Sequence, residues 1–145
     1  MTVASVHSVE RTVHKTNEWL KELAEALGSD DRDEAWRVLR GYLHVLRDRL
    51  TMDESAQLAA EFTHLVRGVF YEGFDPGHQP AKYRDRETFL TLIADTAQLP
   101  GHDEAALAAA ACTRVMRDHI PEGAAEDVFA QLPSDIRAVL QPAAA

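Results

Sequence analysis

A group of cationic side chains is the first feature of the sequence with the chemistry to bind a ligand. Its members are spaced by three, four and three residues, so on a helix they share one face: Arg37, Arg40, His44 and Arg47. Guanidinium groups bind carboxylates and phosphates through paired hydrogen bonds. This Arg37–Arg47 face is therefore a candidate site for an anionic small molecule or an acidic partner surface. The alternative is a solvated face whose charge is balanced by neighbouring acidic residues.

The segment between about residues 71 and 85 holds a second group of chemically versatile side chains. Phenol, carboxylate and imidazole groups lie here among glycines and prolines: Tyr71, Glu72, Asp75 and His78. Connecting segments carry binding and catalytic residues more often than helices do. An enzyme that uses these groups is one hypothesis, and it requires a pocket where at least two converge with perturbed pKa values. A well-packed crossover between two helical units explains the same residues without chemistry.

Metal and nucleophile motifs are weak in this sequence. His7, Glu10 and His14 share a helical face, and residues 61–64 have Glu-x-x-His spacing, but a di-iron bundle site needs two such motifs and further glutamates. The single cysteine, Cys112, lies in an alanine run and is expected in the core. The sequence contains neither a glycine-rich phosphate loop nor a nucleophile elbow. We therefore predict no catalytic residue, no metal and no cofactor, and an enzyme is less expected than a non-catalytic protein.

An internal repeat predicts the elements that carry these residues. Shifting the sequence by 70 residues aligns 16–70 with 86–140 without a gap, and 11 of the 55 pairs are identical. Conservative apolar pairs such as Trp19/Phe89 fall at helical spacing. These patterns predict an all-α fold, a compact bundle of about six helices built from two tandem three-helix repeats. Repeat one covers about 16–70, the connector 71–85 and repeat two about 86–140, within one domain over 1–145.

Start and stop signals refine the helices of each unit. The first helix ends before Gly28, and its apolar stripe extends back through Val6, Val9 and Val13. The second spans about 31–49. The third starts at a capping box, Thr51 to Glu54, and continues to about residue 70 with these residues facing the core: Leu58, Phe62, Leu65, Val66 and Val69. The second unit is expected at about 86–98, 102–119 and 122–131, with a short final turn after Pro133.

Charged residues that recur in both units are expected to serve the fold. The identical pairs include Asp48/Asp118 and Arg67/Arg137. Since Asp48 closes the second helix and Arg67 lies on the third, we predict structural ion pairs or caps that join Asp48 to Arg67 and Asp118 to Arg137. Removing one member of a buried ion pair is costly, because it leaves the other charge unpaired.

Four short runs also stand out along the chain: KTNEWL at 15–20, LRDRL at 46–50, VRGVFYEGFDP at 66–76 and QLP at 131–133. In these runs the chain resembles a bacterial family catalogued as domain of unknown function 2267, and the resemblance covers about Thr12 to Leu140. It implies an all-helical bacterial domain without an established activity. The chain departs from the family pattern at Phe62-Thr63, where the family has the Leu-Pro found here at Leu132-Pro133. That departure concerns the local helix geometry.

Composition and charge restrict the function. The chain is 46% hydrophobic and 27% charged with a net charge of −9, which is typical of a soluble globular protein and opposes nucleic-acid or anionic-membrane binding. Without a visible signal peptide or paired cysteines, we expect a cytoplasmic protein. The leading hypothesis is a non-catalytic module that contacts a protein partner or a second copy of itself, for example as a homodimer. The alternatives are a binding protein for an anionic small molecule at the Arg37–Arg47 face and the connector, and an enzyme of unknown reaction.

Overall fold

A computed structural model describes residues 6–77 and 80–142, and these fold into helices joined by short loops. The helices of the first half are α1 (His7–Ala26), α2 (Arg32–Arg49), α3 (Met52–Ala59) and α4 (His64–Tyr71). Those of the second half are α5 (Arg86–Ala97), α6 (His102–Asp118), α7 (Ala124–Phe129) and α8 (Ser134–Leu140). The predicted all-α fold is confirmed, since the described ranges contain helices and no strand. Within those ranges, no helix has the length and apolar character to cross a membrane.

Side-chain caps explain where three of these helices begin. Asp31 accepts hydrogen bonds from the amides of Asp33 and Glu34 at the start of α2. The predicted capping box of α3 is confirmed, because Thr51 and Glu54 each accept from the other's backbone amide. Asp85 caps α5 by accepting from the amide and the hydroxyl of Thr88, and these hydrogen bonds lower its pKa. Such caps satisfy amides that have no partner within the helix.

The number of helices differs from the prediction, because the chain breaks the expected third helix of the first half into α3 and α4. Arg67 donates to the carbonyl oxygens of Ala59, Ala60 and Phe62 at 2.9–3.3 Å, and so pairs groups that a continuous helix would have bonded internally. The turn also carries the Phe62 ring into the core. Leu65, expected inside, is 38% exposed. The break between α7 and α8 agrees with the one predicted at Pro133, and the described ranges contain eight helices rather than about six.

The core lies between α1, α2, α5 and α6, and side chains of both halves contribute to it. Gly41 lets α2 approach α5 closely, since a Cβ at this position would lie 2.9 Å from the Cβ of Ala97. Tyr42 is fully buried, and its hydroxyl is 2.8 Å from Oγ1 of Thr113 on α6. Cys112 is also fully buried, as predicted, and burial raises the pKa of its thiol.

Candidate functional site

Arg47 is the most deeply buried member of the Arg37–Arg47 face, with 6% of its surface exposed. Its Nη1 donates to the carbonyl oxygens of Phe70 at 3.0 Å and Glu72 at 2.7 Å, while Nε donates to Oδ1 of Asp48 at 2.9 Å. The guanidinium also lies 5.6 Å from the centre of the Phe74 ring. Arg47 therefore anchors the end of α4 and the start of the connector to α2, and three of its five N–H donors are used within the protein.

Arg40 and His44 bind the same end of α4 from the next turns of α2. Arg40 forms an ion pair with the Glu72 carboxylate, and this hydrogen bond lowers the pKa of Glu72 below its ordinary value of 4.5. His44 Nε2 is 2.8 Å from the carbonyl oxygen of Val69 and 3.9 Å from Oε1 of Glu72. A carboxylate of this kind stays ionised at neutral pH, so it is a poor general acid.

Arg37 completes the face and contacts the second half of the chain. Its Nε donates to the carbonyl oxygen of Ala97 at 2.9 Å, at the end of α5. A cation near a helix C-terminus satisfies a free carbonyl and interacts favourably with the helix dipole. All four members of the face thus bind backbone or carboxylate oxygens of the protein. Through these contacts the face joins α2 to α4, α5 and the connector.

The connector residues that the structure describes, Tyr71, Glu72 and Asp75, do not line one common pocket. Tyr71 ends α4 and packs between the rings of Phe70 and Phe74, with centroids 5.3 and 5.7 Å away. Asp75 accepts from the amide of Gly77 at 2.9 Å, which forms a tight local turn. His78, the fourth candidate, lies outside the residues that the structure describes.

A cleft of about 580 Å³ opens beside this segment, and Asp75 lines it together with Arg47, Asp48 and Asp53. Tyr71 and Glu72 are not among the residues that line it. Within the described ranges, no group of three histidine, cysteine, aspartate or glutamate side chains is arranged to hold a metal ion. Among the described residues, no two of the proposed catalytic groups therefore line the same pocket.

The structural ion pairs take a different form from the one predicted. Asp48 binds Arg47 beside it, and Arg67 caps the end of α3 through carbonyl oxygens, so the Asp48–Arg67 pair was wrong and the alternative of a cap holds for Arg67. In the second half Arg117 forms an ion pair with Glu126, and no pair joins Asp118 to Arg137 within the described part of the chain. Arg67 does not reach Asp48 because the break between α3 and α4 directs its side chain to the free carbonyl oxygens of the turn.

The N-terminal half of α1 carries an apolar stripe that the rest of the bundle leaves uncovered. Val6, Val9 and Val13 are 66%, 56% and 46% exposed. The same stripe continues into the buried Thr16 and Leu20 further along the helix. Hydrophobic periodicity identified the stripe in the sequence, but only the arrangement of the other helices shows that its first half has no cover.

A second surface, which we call the α6 groove, was missed in the sequence. It is a groove of about 540 Å³ between the ends of α1 and α8 and one side of α6, with an apolar lining that includes Ala26, Leu107, Ala110, Ala111, Leu140 and Pro142. Arg114 and Gln141 also line it. Its signal in the sequence was the replacement of Arg37 and Arg40 by Leu107 and Ala110 at positions 70 residues later.

Comparison with known proteins matches the chain to one family and leaves the activity open. The model of the family described as uncharacterized conserved protein DUF2267 matches residues 16–142, which is most of the 145-residue chain. No curated protein matches the chain. The N-terminal nine residues of α1, His7–Lys15, precede the matched range, so the uncovered valine stripe lies outside it.

Proposed function

Because the chain belongs to the DUF2267 family, whose description assigns no activity, we propose a function from the geometry: a non-catalytic module that self-associates through the N-terminal half of α1. The occupant of the uncovered valine stripe is then the same stripe of a second copy. The observation that carries this proposal is the exposure of Val9 and Val13 on α1, and of Val6 just before it, while the same face is buried in the later turns of the helix.

The spacing of the stripe favours helix-to-helix pairing. Alternating intervals of three and four positions separate Val6, Val9, Val13, Thr16 and Leu20, and all of these residues except the buried Thr16 are apolar. This is the heptad spacing with which two helices pack along an apolar seam. In the bundle the later positions of the seam pack against α2, α4 and α6, so the first positions are left for an external helix.

Charge also favours contact between copies at this segment. The whole chain has a net charge of −9, whereas residues 6–18 contain two acidic and two basic residues, Glu10, Glu18, Arg11 and Lys15. Two strongly acidic molecules repel least where their surfaces are locally neutral. Three valines per copy form a small contact, well below the roughly 1,200 Å² of a stable complex. We therefore expect a weak dimer, with Kd on the order of 0.1 mM.

We also propose that the two halves are tandem repeats, each now counted as four helices. Helices α2 and α6 begin at Arg32 and His102, and α4 and α8 begin at His64 and Ser134, in both cases 70 residues apart. The alternative functions have less support, because the members of the Arg37–Arg47 face already bind protein groups and the connector residues do not converge.

Sedimentation equilibrium over a range of concentrations tests the proposed function. We expect the wild-type chain to shift from monomer towards dimer between about 10 µM and 1 mM. The Val9→Ser/Val13→Ser variant should stay monomeric, because its stripe no longer gains from burial. The control is His7→Ser/Arg11→Ser on the opposite face of the same helix, which should dimerise like wild type.

Two results would reject self-association at this face. One is a wild-type chain that stays monomeric over the whole range. The other is a dimer that survives the valine substitutions, since another surface would then form it. Circular dichroism of each variant shows whether α1 remains helical.

A further inference from the structure

The α6 groove has the size and the lining of a small-molecule site. Its volume of about 540 Å³ lies within the range of ligand pockets. Leu107 on its wall is 58% exposed, although it lies among side chains that are mostly apolar. A hydrocarbon group that covered this wall would remove apolar surface from water at about 25 cal/mol per Å².

The groove exists because the corresponding place in the first half is filled. Seventy residues earlier, the positions of Leu107, Ala110 and Pro142 hold Arg37, Arg40 and Glu72. There the Arg40–Glu72 ion pair closes the face and Arg37 binds the end of α5. Neither alanine nor proline can form such a bridge, so the second half leaves a channel between α6 and the end of α8.

Two polar groups at the groove lack partners within the described part of the chain. The side-chain nitrogen of Gln141, Nε2, is buried and has no hydrogen-bond acceptor. A buried donor without an acceptor is unfavourable, and an acceptor on a ligand would satisfy it. Arg114 is exposed beside the apolar wall, and it forms no hydrogen bond or ion pair with another described residue. The neighbouring Arg117 differs, because it is held by Glu126.

We propose that the α6 groove binds a small amphipathic carboxylate, such as a medium-chain fatty acid or an aromatic acid. The hydrocarbon body lies on Leu107, Ala110 and Ala111, and the carboxylate accepts hydrogen bonds from Arg114 and Gln141. Of the two arginines that line the groove, Arg117 is paired with Glu126, which leaves Arg114 as the one available cation beside one amide donor. This combination selects a carboxylate over a neutral hydrocarbon, which leaves both donors unpaired, and over a phosphate ester, which prefers several cations. This site is separate from the valine stripe, and it does not depend on the proposed function.

Titration of the ¹⁵N-labelled protein with decanoate, followed by amide NMR shifts, tests the site. Decanol, with the same chain and no charge, is the matched probe. We expect saturable shifts at Leu107, Ala110 and Ala111 with decanoate, and about tenfold weaker binding of decanol, as one lost charge-assisted hydrogen bond implies.

Four variants, two of them controls, sharpen the assignment. Ala110→Leu fills the floor and should weaken decanoate at least tenfold. Arg114→Gln should weaken decanoate about tenfold and leave decanol unchanged, while the control Arg84→Gln, on the connector, should change neither. Val9→Ser/Val13→Ser should bind decanoate normally, so failure of the dimer and failure of the groove are told apart.

The proposal is overturned by any of three results. These are no saturable binding by the wild-type protein, equal affinity for decanoate and decanol, and binding that neither Ala110→Leu nor Arg114→Gln weakens. Arg114 is exposed, so its variant retains the fold and gives a result even if Ala110→Leu unfolds the protein.

Discussion

The Arg37–Arg47 face and the α6 groove occupy matching positions in the two halves of the chain, yet one is closed and the other open. In the first half, arginines bind carbonyl oxygens and Glu72, and the cluster of charges that looked most like a binding site is part of the fold. In the second half, small and apolar residues leave a groove with unpaired polar groups at its edge. The difference teaches that a high density of charge does not by itself identify a binding site, because these charged groups are used to hold helices together.

The largest difference between the two halves is expected at Arg47 and its counterpart Arg117. Arg47→Met removes the donors to two carbonyl oxygens and Asp48 at a buried position, and we expect a loss of about 3 kcal/mol in the free energy of unfolding. Arg117→Met breaks a pair whose arginine side chain is 36% exposed, so it should cost less than about 1 kcal/mol. Urea denaturation followed by circular dichroism measures both. Equal losses of unfolding free energy would mean that Arg47 and Arg117 stabilise the fold to the same extent.

A smaller effect is expected at Gly41, where α2 and α5 are closest. In Gly41→Ala the new Cβ would lie 2.9 Å from Cβ and 3.0 Å from Cα of Ala97, and we expect a loss of roughly 1–3 kcal/mol from the displaced helices. The control is Gly68→Ala in α4, where a Cβ has nothing within 4 Å; it should be neutral or stabilising. If the two variants melt at the same temperature, the close contact with Ala97 does not determine the stability lost at Gly41.

The smallest expected effect is the pH dependence of the Arg40–Glu72 pair. Because the Arg40 hydrogen bond lowers the pKa of Glu72 in the folded chain, the stabilisation is present above the ordinary glutamate pKa and is lost as the pH falls through the lowered value. Wild type should therefore melt slightly above Glu72→Gln near neutral pH, and the gap should vanish at low pH. In an Arg40→Gln background the gap should be absent at every pH. A gap that persists there would assign the effect to another partner of Glu72.

Helix types and most boundaries could be predicted from the sequence, because they depend on local signals. The capping box at Thr51, the stop at Gly28 and the apolar spacing act within a few residues. The break after Ala59 could not, because the stripe of Leu58, Phe62 and Val66 also fits one continuous helix. The break between α3 and α4 is stabilised by Arg67, in the first turn of α4, which donates to the carbonyl oxygens left free at the end of α3.

The candidate site was predicted less well, for a related reason. Spacing placed Arg37 and Arg40 on one helical face, but it says nothing of what faces them across the bundle. The distant groups that bind these arginines, the carbonyl of Ala97 and the carboxylate of Glu72, lie 60 and 32 residues away in sequence. The α6 groove could not be predicted from the sequence, because it is defined by side chains that are too small to reach across it.

Because Cys112 is buried, the rate at which its thiol is modified reports how often the core opens. Thiol reagents attack the thiolate, and here burial both shields the sulfur and disfavours its ionised form. Since α6 packs against helices of both halves, we expect the sulfur to become reactive only when the helices packed around it move apart. At saturating reagent, the rate of modification of this single natural thiol therefore equals the rate at which the core opens, without any introduced probe.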